Sequence, residues 1–230
     1  MATSLDLQEQ EQLDSLKAFW QRWGNLLTWG VIAVLAGFAA WNGWNWYQRD
    51  QAVKAAALFD ELDRAVLTSD AERSGRIFGD LRERFPRTQW AAHGGLLVAR
   101  LHAASDRPAD AVAALQWVVD KADDTGLRSV AVLRLAGIHL DAGRHDEALR
   151  TLDMPLAEGF EALRDDRRGD VLLAKGQAGP AAEAYRAALK SMPSSVEYRR
   201  VVEAKLTALG EAPPAPPDES GAGLGAPARS

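Results

Sequence analysis

The sequence of 230 residues contains no cysteine. A disulfide framework, a thiolate zinc site and a cysteine nucleophile are therefore excluded. An excess of positive charge is also lacking, because 27 lysines and arginines stand against 32 aspartates and glutamates and give a formal net charge of -5. This argues against a nucleic-acid partner, whose phosphates attract a basic surface. Runs of alternating β-branched residues are almost missing, whereas alanine, leucine, arginine and the acidic residues are abundant. This composition favours an all-α fold.

One segment lacks charge altogether. No residue from Trp23 to Gln48 is charged, although 26% of the whole chain is. A helix of this length spans about 39 Å, which exceeds the roughly 30 Å hydrocarbon core of a bilayer. Most of the tryptophans of the chain lie in two groups near the ends of this segment, where indole rings favour the membrane interfaces. Residues 23–48 are therefore predicted to form a transmembrane helix in the lipid bilayer.

Two other interpretations of this segment are weaker. A signal peptide cleaved before Ala40 needs a short basic region in front of the apolar stretch, and here the first 22 residues are acidic. A buried core helix needs neither so long an uncharged stretch nor tryptophans at both ends. Cations flank the segment on both sides, so the charge distribution leaves its orientation open.

Beyond Arg49 the sequence repeats itself. The clearest unit, GDVLLAKGQAGPAAEAYRAALKSMP, begins at Gly169. It resembles the tetratricopeptide consensus, which pairs two helices through small residues, packs an aromatic between them and ends with proline. The stretch LAGIHLDAGRHDEALRTL repeats this pattern 33 residues earlier, and weaker copies precede it. The spacing predicts helix contacts of Ala136 with Ala148 and of Gly169 with Ala181, with turns at Gly143 and Gly176.

These patterns divide the chain into four parts. Residues 1–22 are a polar N-terminal tail, 23–48 the transmembrane helix, 49–210 a tetratricopeptide-like helical repeat domain, and 211–230 a disordered tail rich in proline, glycine and alanine. The predicted fold class is thus all-α, with an N-terminal transmembrane helix followed by a helical-hairpin solenoid. An ordinary alanine-rich bundle with chance periodicity is the alternative to the solenoid.

The sequence offers little chemistry. The four histidines, His93, His102, His139 and His145, lack metal-ligand spacing, and no phosphate-binding loop or nucleophile elbow is present. The acidic pairs, Asp123–Asp124 and Asp165–Asp166, are typical of solvated helix ends. We therefore expect no enzymatic activity, no catalytic residue, no metal and no cofactor.

The order of these parts resembles a known family. A polar N-terminus, a tryptophan-flanked span and hairpins containing RRGDVLLAKGQAGPAAEAYRAAL are similar to the YfgM-type ancillary subunit of the Sec translocon over residues 8–210. The resemblance implies a single-pass protein of the bacterial inner membrane, with residues 1–22 in the cytoplasm and the repeat domain in the periplasm. It also implies two partners, the SecYEG channel and PpiD, a membrane-anchored periplasmic chaperone of the prolyl-isomerase type. The implied function is that of a protein–protein interaction scaffold that helps pass translocated polypeptides to periplasmic chaperones.

In a tetratricopeptide array the first helix of each hairpin lines a concave groove. Counted from the small contact residues, Arg100, Leu133, Leu140, Asp170 and Leu173 are predicted to face that groove and to bind a partner. The leucines would form an apolar strip, and the two charged residues its polar edges.

Two alternatives stay open at this point. In the first alternative, the chain's own final helix fills the groove in place of a partner. This helix, SVEYRRVVEAKLTAL, offers an apolar face of valines and leucines. It would cover either the whole groove or the last hairpin alone. In the alternative function, the chain is a tetratricopeptide adaptor or a regulatory subunit of another cell-envelope complex.

Overall fold

The computed structural model describes residues 7–193 and 195–214, and within these ranges all regular secondary structure is helical. The helices are α1 (Leu7–Leu67), α2 (Ala71–Arg84), α3 (Gln89–Ala104), α4 (Pro108–Lys121), α5 (Thr125–Asp141), α6 (His145–Leu152), α7 (Glu161–Ala174), α8 (Ala178–Ser191) and α9 (Arg199–Ala208). The predicted all-α fold is confirmed. Most of the predicted disordered tail, 211–230, lies outside the described residues, as does the start of the N-terminal tail.

The chain divides into two compact units, one ending at Val53 and one beginning at Lys54. In the first unit, the described part of α1 leaves its large apolar side chains uncovered: Trp23 is 47% exposed, Trp29 65% and Trp41 62%. The helical stretch that begins at Ser15 is long and apolar enough to cross a membrane. A surface of this kind suits lipid better than water.

Two polar side chains within the apolar stretch bond to the helix itself. The Thr28 hydroxyl donates to the carbonyl oxygen of Gly24 at 2.8 Å, and the Asn42 amide donates to the carbonyl oxygen of Phe38 at 3.0 Å. In hydrocarbon no water is available to such groups, so bonds within the helix are the ones that satisfy them.

The second unit is a series of helical hairpins. The last turns of α1 pack against α2 and the start of α3 in a core that includes Leu62, Leu81 and Ala91. The next hairpins are α3–α4, α5–α6 and α7–α8, and each packs on its neighbour. The small residues at which paired helices meet are buried at 0–2% exposure, and they include the predicted Ala136, Ala148 and Ala181 as well as Ala99 and Ala111.

Local signals fix where these helices begin and turn. Asp70 and Asp124 cap α2 and α5, since each carboxylate accepts a hydrogen bond from the backbone N–H three residues later. Pro108 occupies the first turn of α4, where a missing N–H does no harm. The predicted turns at Gly143 and Gly176 are confirmed by φ angles of 69° and 76°, which glycine adopts without strain.

The final helix, α9, covers the last hairpin. Val202 and Leu206 are fully buried against α7 and α8. The guanidinium of Arg199 donates to the carbonyl oxygens of Leu189 at 2.7 Å and Met192 at 2.9 Å. These are carbonyls at the end of α8, which lack partners within their own helix, so Arg199 fastens the two helices together.

Gly169 in α7 faces the ring of Tyr185 in α8. A Cβ atom added at Gly169 would overlap Cε1 and Cδ1 of that ring, which is itself only 1% exposed. The atoms nearest to Gly169 are thus those of Tyr185 rather than of Ala181, which was expected there. Position 169 requires glycine because the Tyr185 ring occupies the adjacent space, where the sequence predicted the small side chain of Ala181.

Replacing Gly169 with alanine is expected to lower the free energy of unfolding by about 1–3 kcal/mol, because the added methyl group forces the Tyr185 ring to shift. The higher helix propensity of alanine, worth about 1 kcal/mol, offsets only part of this loss. Chemical denaturation of the full-length protein in detergent, followed by circular dichroism, measures the difference.

Gly79→Ala is the matched control, because Gly79 lies within α2 and has open space where the Cβ would be. We expect that variant to be at least as stable as the parent. Equal stability of the two variants would contradict close packing at Gly169.

Candidate partner-binding groove

An open groove runs along the first helices of successive hairpins in the second unit. Its volume is about 510 Å³, and α3, α5 and the beginning of α7 form its walls. The lining residues are Ala99, Arg100, Ala103, Leu115, Val130, Leu133, Arg134, Gly137, Ile138, Asp141, Phe160, Leu163 and Arg167. The predicted placement of first helices along a concave surface is therefore what the structure shows.

Small residues keep the groove open, and larger ones give it an apolar floor. Ala99 and Ala103 on α3 and Gly137 on α5 leave space between the helices. Leu115 reaches the groove from α4 and is 1% exposed, whereas Leu163 at the start of α7 is 39% exposed. A partner that covered the groove would therefore gain apolar contact without displacing a helix.

Three arginines follow the groove from hairpin to hairpin, and we call Arg100, Arg134 and Arg167 the arginine ladder. They lie on α3, α5 and α7, separated by 34 and 33 residues. Arg134 and Arg167 occupy equivalent positions in consecutive repeats, since the buried Ala148 and Ala181 are also 33 residues apart. Arg100 lies about one helical turn farther along its helix, because the corresponding residues Ala111 and Ala148 are 37 apart. The carboxylate that lines the same groove is Asp141, the last residue of α5.

Two arginines of the ladder, Arg100 and Arg134, form no ion pair within the described part of the chain. No carboxylate among the described residues lies within ion-pair distance of Arg100 or Arg134; Arg134 instead donates to the carbonyl oxygen of Leu96 at 3.0 Å. Burial and the neighbouring Arg100 guanidinium lower the pKa of Arg134. Arg167 is partly compensated, because its guanidinium lies 3.7 Å from Asp170.

A smaller depression of about 230 Å³ continues the groove toward α1. It includes Phe59 and Asp63 from α1 and His93 from α3, together with Arg100 and Arg134. The two arginines therefore belong to both concavities. A bound segment longer than the main groove would pass directly over them.

The structure brings together some of the predicted partner-binding residues and separates others. Arg100 and Leu133 line the groove. Leu140 is half-buried and packs beside Ala136 and Ala148, while Leu173 is 40% exposed near the end of α7. Neither of these two leucines, nor Asp170, is among the residues that line the groove within the described part of the chain.

Asp170 is engaged by the protein's own final helix. Lys205 of α9 donates to Asp170 at 2.7 Å and to Asp166 at 2.8 Å. The hydroxyl of Tyr185 donates to Asp170 at 2.9 Å, and that of Tyr198 to Asp166 at 2.8 Å. The chain's final helix thus covers the last hairpin and leaves the groove between α3 and α7 open.

Three side chains that bond to Asp166 or Asp170 have raised pKa values. Burial opposes the charge of Lys205, but hydrogen bonds and charges from Asp166 and Asp170 outweigh it and raise its pKa. Burial and a hydrogen bond to a carboxylate raise the pKa of Tyr185 and of Tyr198. A raised folded-state pKa stabilises the protein below the unfolded-state pKa, about 10 for these groups, and that stability is lost as the pH rises through the folded-state values.

The histidines occupy separate places. His102 is 5% exposed, and burial lowers its pKa; burial also lowers the pKa of His139. Among the described residues, no three histidine, aspartate or glutamate side chains come close enough together to hold a metal ion.

Sequence reasoning missed Arg134, Arg167 and the apolar residues Phe160 and Leu163. A signal for Arg134 and Arg167 was nevertheless present, because their spacing of 33 residues matches that of Ala148 and Ala181. Phe160 precedes α7 in an irregular connection, and no periodicity extends into such a segment.

Known proteins are similar to this chain in sequence. A family model described as a tetratricopeptide repeat-like domain matches residues 17–211. The chain is similar to the ancillary SecYEG translocon subunit of Neisseria gonorrhoeae, with 28% identity over 207 residues that cover 88% of this chain and 98% of the relative. It is also 30% identical over 183 residues to the ancillary SecYEG translocon subunit of Escherichia coli K12, covering 80% and 88% of the two chains. The relative of that name in Haemophilus influenzae is 25% identical over 185 residues, or 80% of this chain and 90% of its own.

Replacing Lys205 with methionine is expected to lower the free energy of unfolding by about 3 kcal/mol, because two carboxylates, one of them fully buried, lose their shared cation. The loss is expected at neutral pH and should shrink at high pH, because the parent's Lys205 loses its charge as the pH rises through its raised pKa. Urea denaturation of the full-length protein at several pH values measures it.

Lys190→Met provides the control, since Lys190 is exposed in the last turn of α8 and contributes at most about 1 kcal/mol there. An unchanged stability in Lys205→Met would show that α9 is held without its charged cluster.

Proposed function

The chain belongs to the family of ancillary SecYEG translocon subunits with a tetratricopeptide repeat-like domain, and on that premise we propose that it is a membrane-anchored scaffold of the Sec translocon. It holds its repeat domain beside the channel and helps pass translocated polypeptides to periplasmic chaperones. The observation that carries this proposal is the open, arginine-bordered groove in a repeat array whose last hairpin is already covered.

The anchor in this proposal is a single transmembrane helix at residues 23–48. Its support is the uncharged, tryptophan-flanked surface of α1, which suits lipid, together with the polar side chains that bond back to the helix. Residues 1–22 lie in the cytoplasm and the repeat domain lies in the periplasm of the bacterial cell. The span confines the scaffold to the inner membrane, where it contacts SecYEG.

The groove is the site at which we place the second partner, a membrane-anchored chaperone of the prolyl-isomerase type (PpiD). Arg100 and Leu133 line the groove and are proposed to contact this partner. Leu173, exposed near the end of α7, and Leu140 are proposed to extend the contact. Asp170 contributes by holding α9 in place, because its carboxylate is already bound by Lys205 and Tyr185.

The full-length protein is expected to co-purify with SecYEG and the chaperone in mild detergent. Exchanging residues 23–48 for an unrelated apolar span should release SecYEG, because the anchor then lacks its own surface for the channel. Arg100→Glu should weaken chaperone recovery and leave SecYEG recovery unchanged. Affinity purification followed by quantitative mass spectrometry measures both partners.

Arg144→Glu is the matched control, since Arg144 is exposed at the start of α6 and does not line the groove. Recovery of cell-wall or outer-membrane assembly proteins in place of SecYEG would contradict the proposal and favour an adaptor of another envelope complex.

A reporter enzyme that is active only in the periplasm, fused after residue 210, is expected to be active. The reason is that one span places the two ends of the chain on opposite sides of the membrane. The same reporter fused before Met1 should be inactive, and a cytoplasm-specific reporter should give the reverse pattern. Activity of the periplasmic reporter at the N-terminal position alone would reverse the proposed topology.

A further inference from the structure

We propose that the groove takes an acidic amphipathic helix of a partner polypeptide, with carboxylates seated on the arginine ladder and apolar side chains against Leu133, Ile138 and Leu163. This inference rests on the proposed scaffold function and names the chemistry of the segment that the scaffold holds.

The ladder presents one arginine on each of three neighbouring helices. Arg100, Arg134 and Arg167 lie on α3, α5 and α7, and each of these helices contacts the next. Packed helix axes lie about 8–10 Å apart. In a bound helix, residues seven positions apart lie on one face and are separated by about 10 Å along the axis. Acidic residues at that spacing therefore match the ladder along the length of the groove.

Two guanidinium groups of the ladder are available to pair with the carboxylates of a partner. Arg100 forms no ion pair or hydrogen bond with any residue of the described ranges, and Arg134 donates to a backbone oxygen alone. These two guanidinium groups are close enough for Arg100 to lower the pKa of Arg134. A carboxylate placed between them removes this repulsion and accepts charge-assisted hydrogen bonds from both.

The single carboxylate that lines the main groove does not neutralise the ladder. Asp141 is exposed at the end of α5 and forms no ion pair among the described residues. Three arginines thus face two aspartates, Asp141 in the main groove and Asp63 in the adjoining depression, and neither forms an ion pair with them among the described residues. Arg167 shares its charge with Asp170 at 3.7 Å. The groove therefore favours an anionic occupant over a cationic one.

The helical walls of the groove indicate that its occupant is a helix rather than an extended strand. The groove is walled by helices, whose backbone groups are already bonded within each helix, so it offers no strand edge for an extended peptide. An incoming helix satisfies its own backbone and needs only side-chain contacts. Leu133, Ile138 and Leu163 supply the surface on which its apolar stripe can rest.

A pair of fluorescein-labelled synthetic helices tests this inference on the full-length protein in detergent. One helix carries glutamate at every seventh position beside a leucine stripe, and the other carries lysine at the same positions. Fluorescence anisotropy is expected to show at least about tenfold tighter binding of the acidic helix, a difference that shrinks as salt screens the charges.

Arg100→Glu is expected to weaken binding of the acidic helix by about tenfold or more. This side chain makes no hydrogen bond within the described residues, so the melting temperature should stay unchanged. Arg144→Glu changes the net charge by the same amount outside the groove and should bind the acidic helix as the parent does.

Three outcomes would overturn the inference: equal affinity for the acidic and basic helices, an unchanged affinity in Arg100→Glu, or no binding of the acidic helix up to about 1 mM. Co-purification of SecYEG through the span does not involve the groove. Loss of peptide binding with SecYEG retained would therefore overturn this inference alone, whereas loss of SecYEG from the parent protein would overturn the scaffold function.

Discussion

The close approach of antiparallel helices at small side chains is the contact on which the repeat domain depends. Ala111, Ala136, Ala148 and Ala181 are each completely buried, and Gly169 leaves room for the Tyr185 ring. Because paired helices meet this closely, each hairpin is a thin unit with two usable faces. Stacking the hairpins then aligns their first helices side by side, and the groove is the concave surface that this alignment produces.

Charged residues serve two different purposes along this array. At its end, Lys205 bonds to Asp166 and Asp170, and all three contribute to holding α9. In the groove, Arg100 and Arg134 have no such partner among the described residues, so their charge adds little to the stability of the fold. Both side chains are exposed, so water solvates their charges in the free protein. Two solvated guanidinium groups beside an apolar groove are available to form charge-assisted hydrogen bonds with the carboxylates of a partner.

The sequence predicted the fold class, the apolar helix and the hairpin period, because these depend on short-range patterns of polarity and residue size. It also predicted that Arg100 and Leu133 share the concave face. The engagement of Asp170 could not be predicted, since its partner Lys205 lies 35 residues away in a helix whose docking angle no local pattern records. Gly169 was expected to meet a small residue, yet it meets Tyr185, because the period gives the position of a contact and not the direction of each side chain.

The position of α9 has a consequence for self-association. In a stack of similar hairpins, each hairpin buries its apolar face against the next, but the last hairpin leaves that face exposed. A second molecule can bind to the exposed face and continue the stack. Head-to-tail addition of this kind does not close and leads to filaments. Here Val202 and Leu206 occupy that face, and Arg199 takes up the carbonyl oxygens at the end of α8. The C-terminal end of the array is thereby blocked against polymerisation, even where the membrane concentrates many copies in one plane.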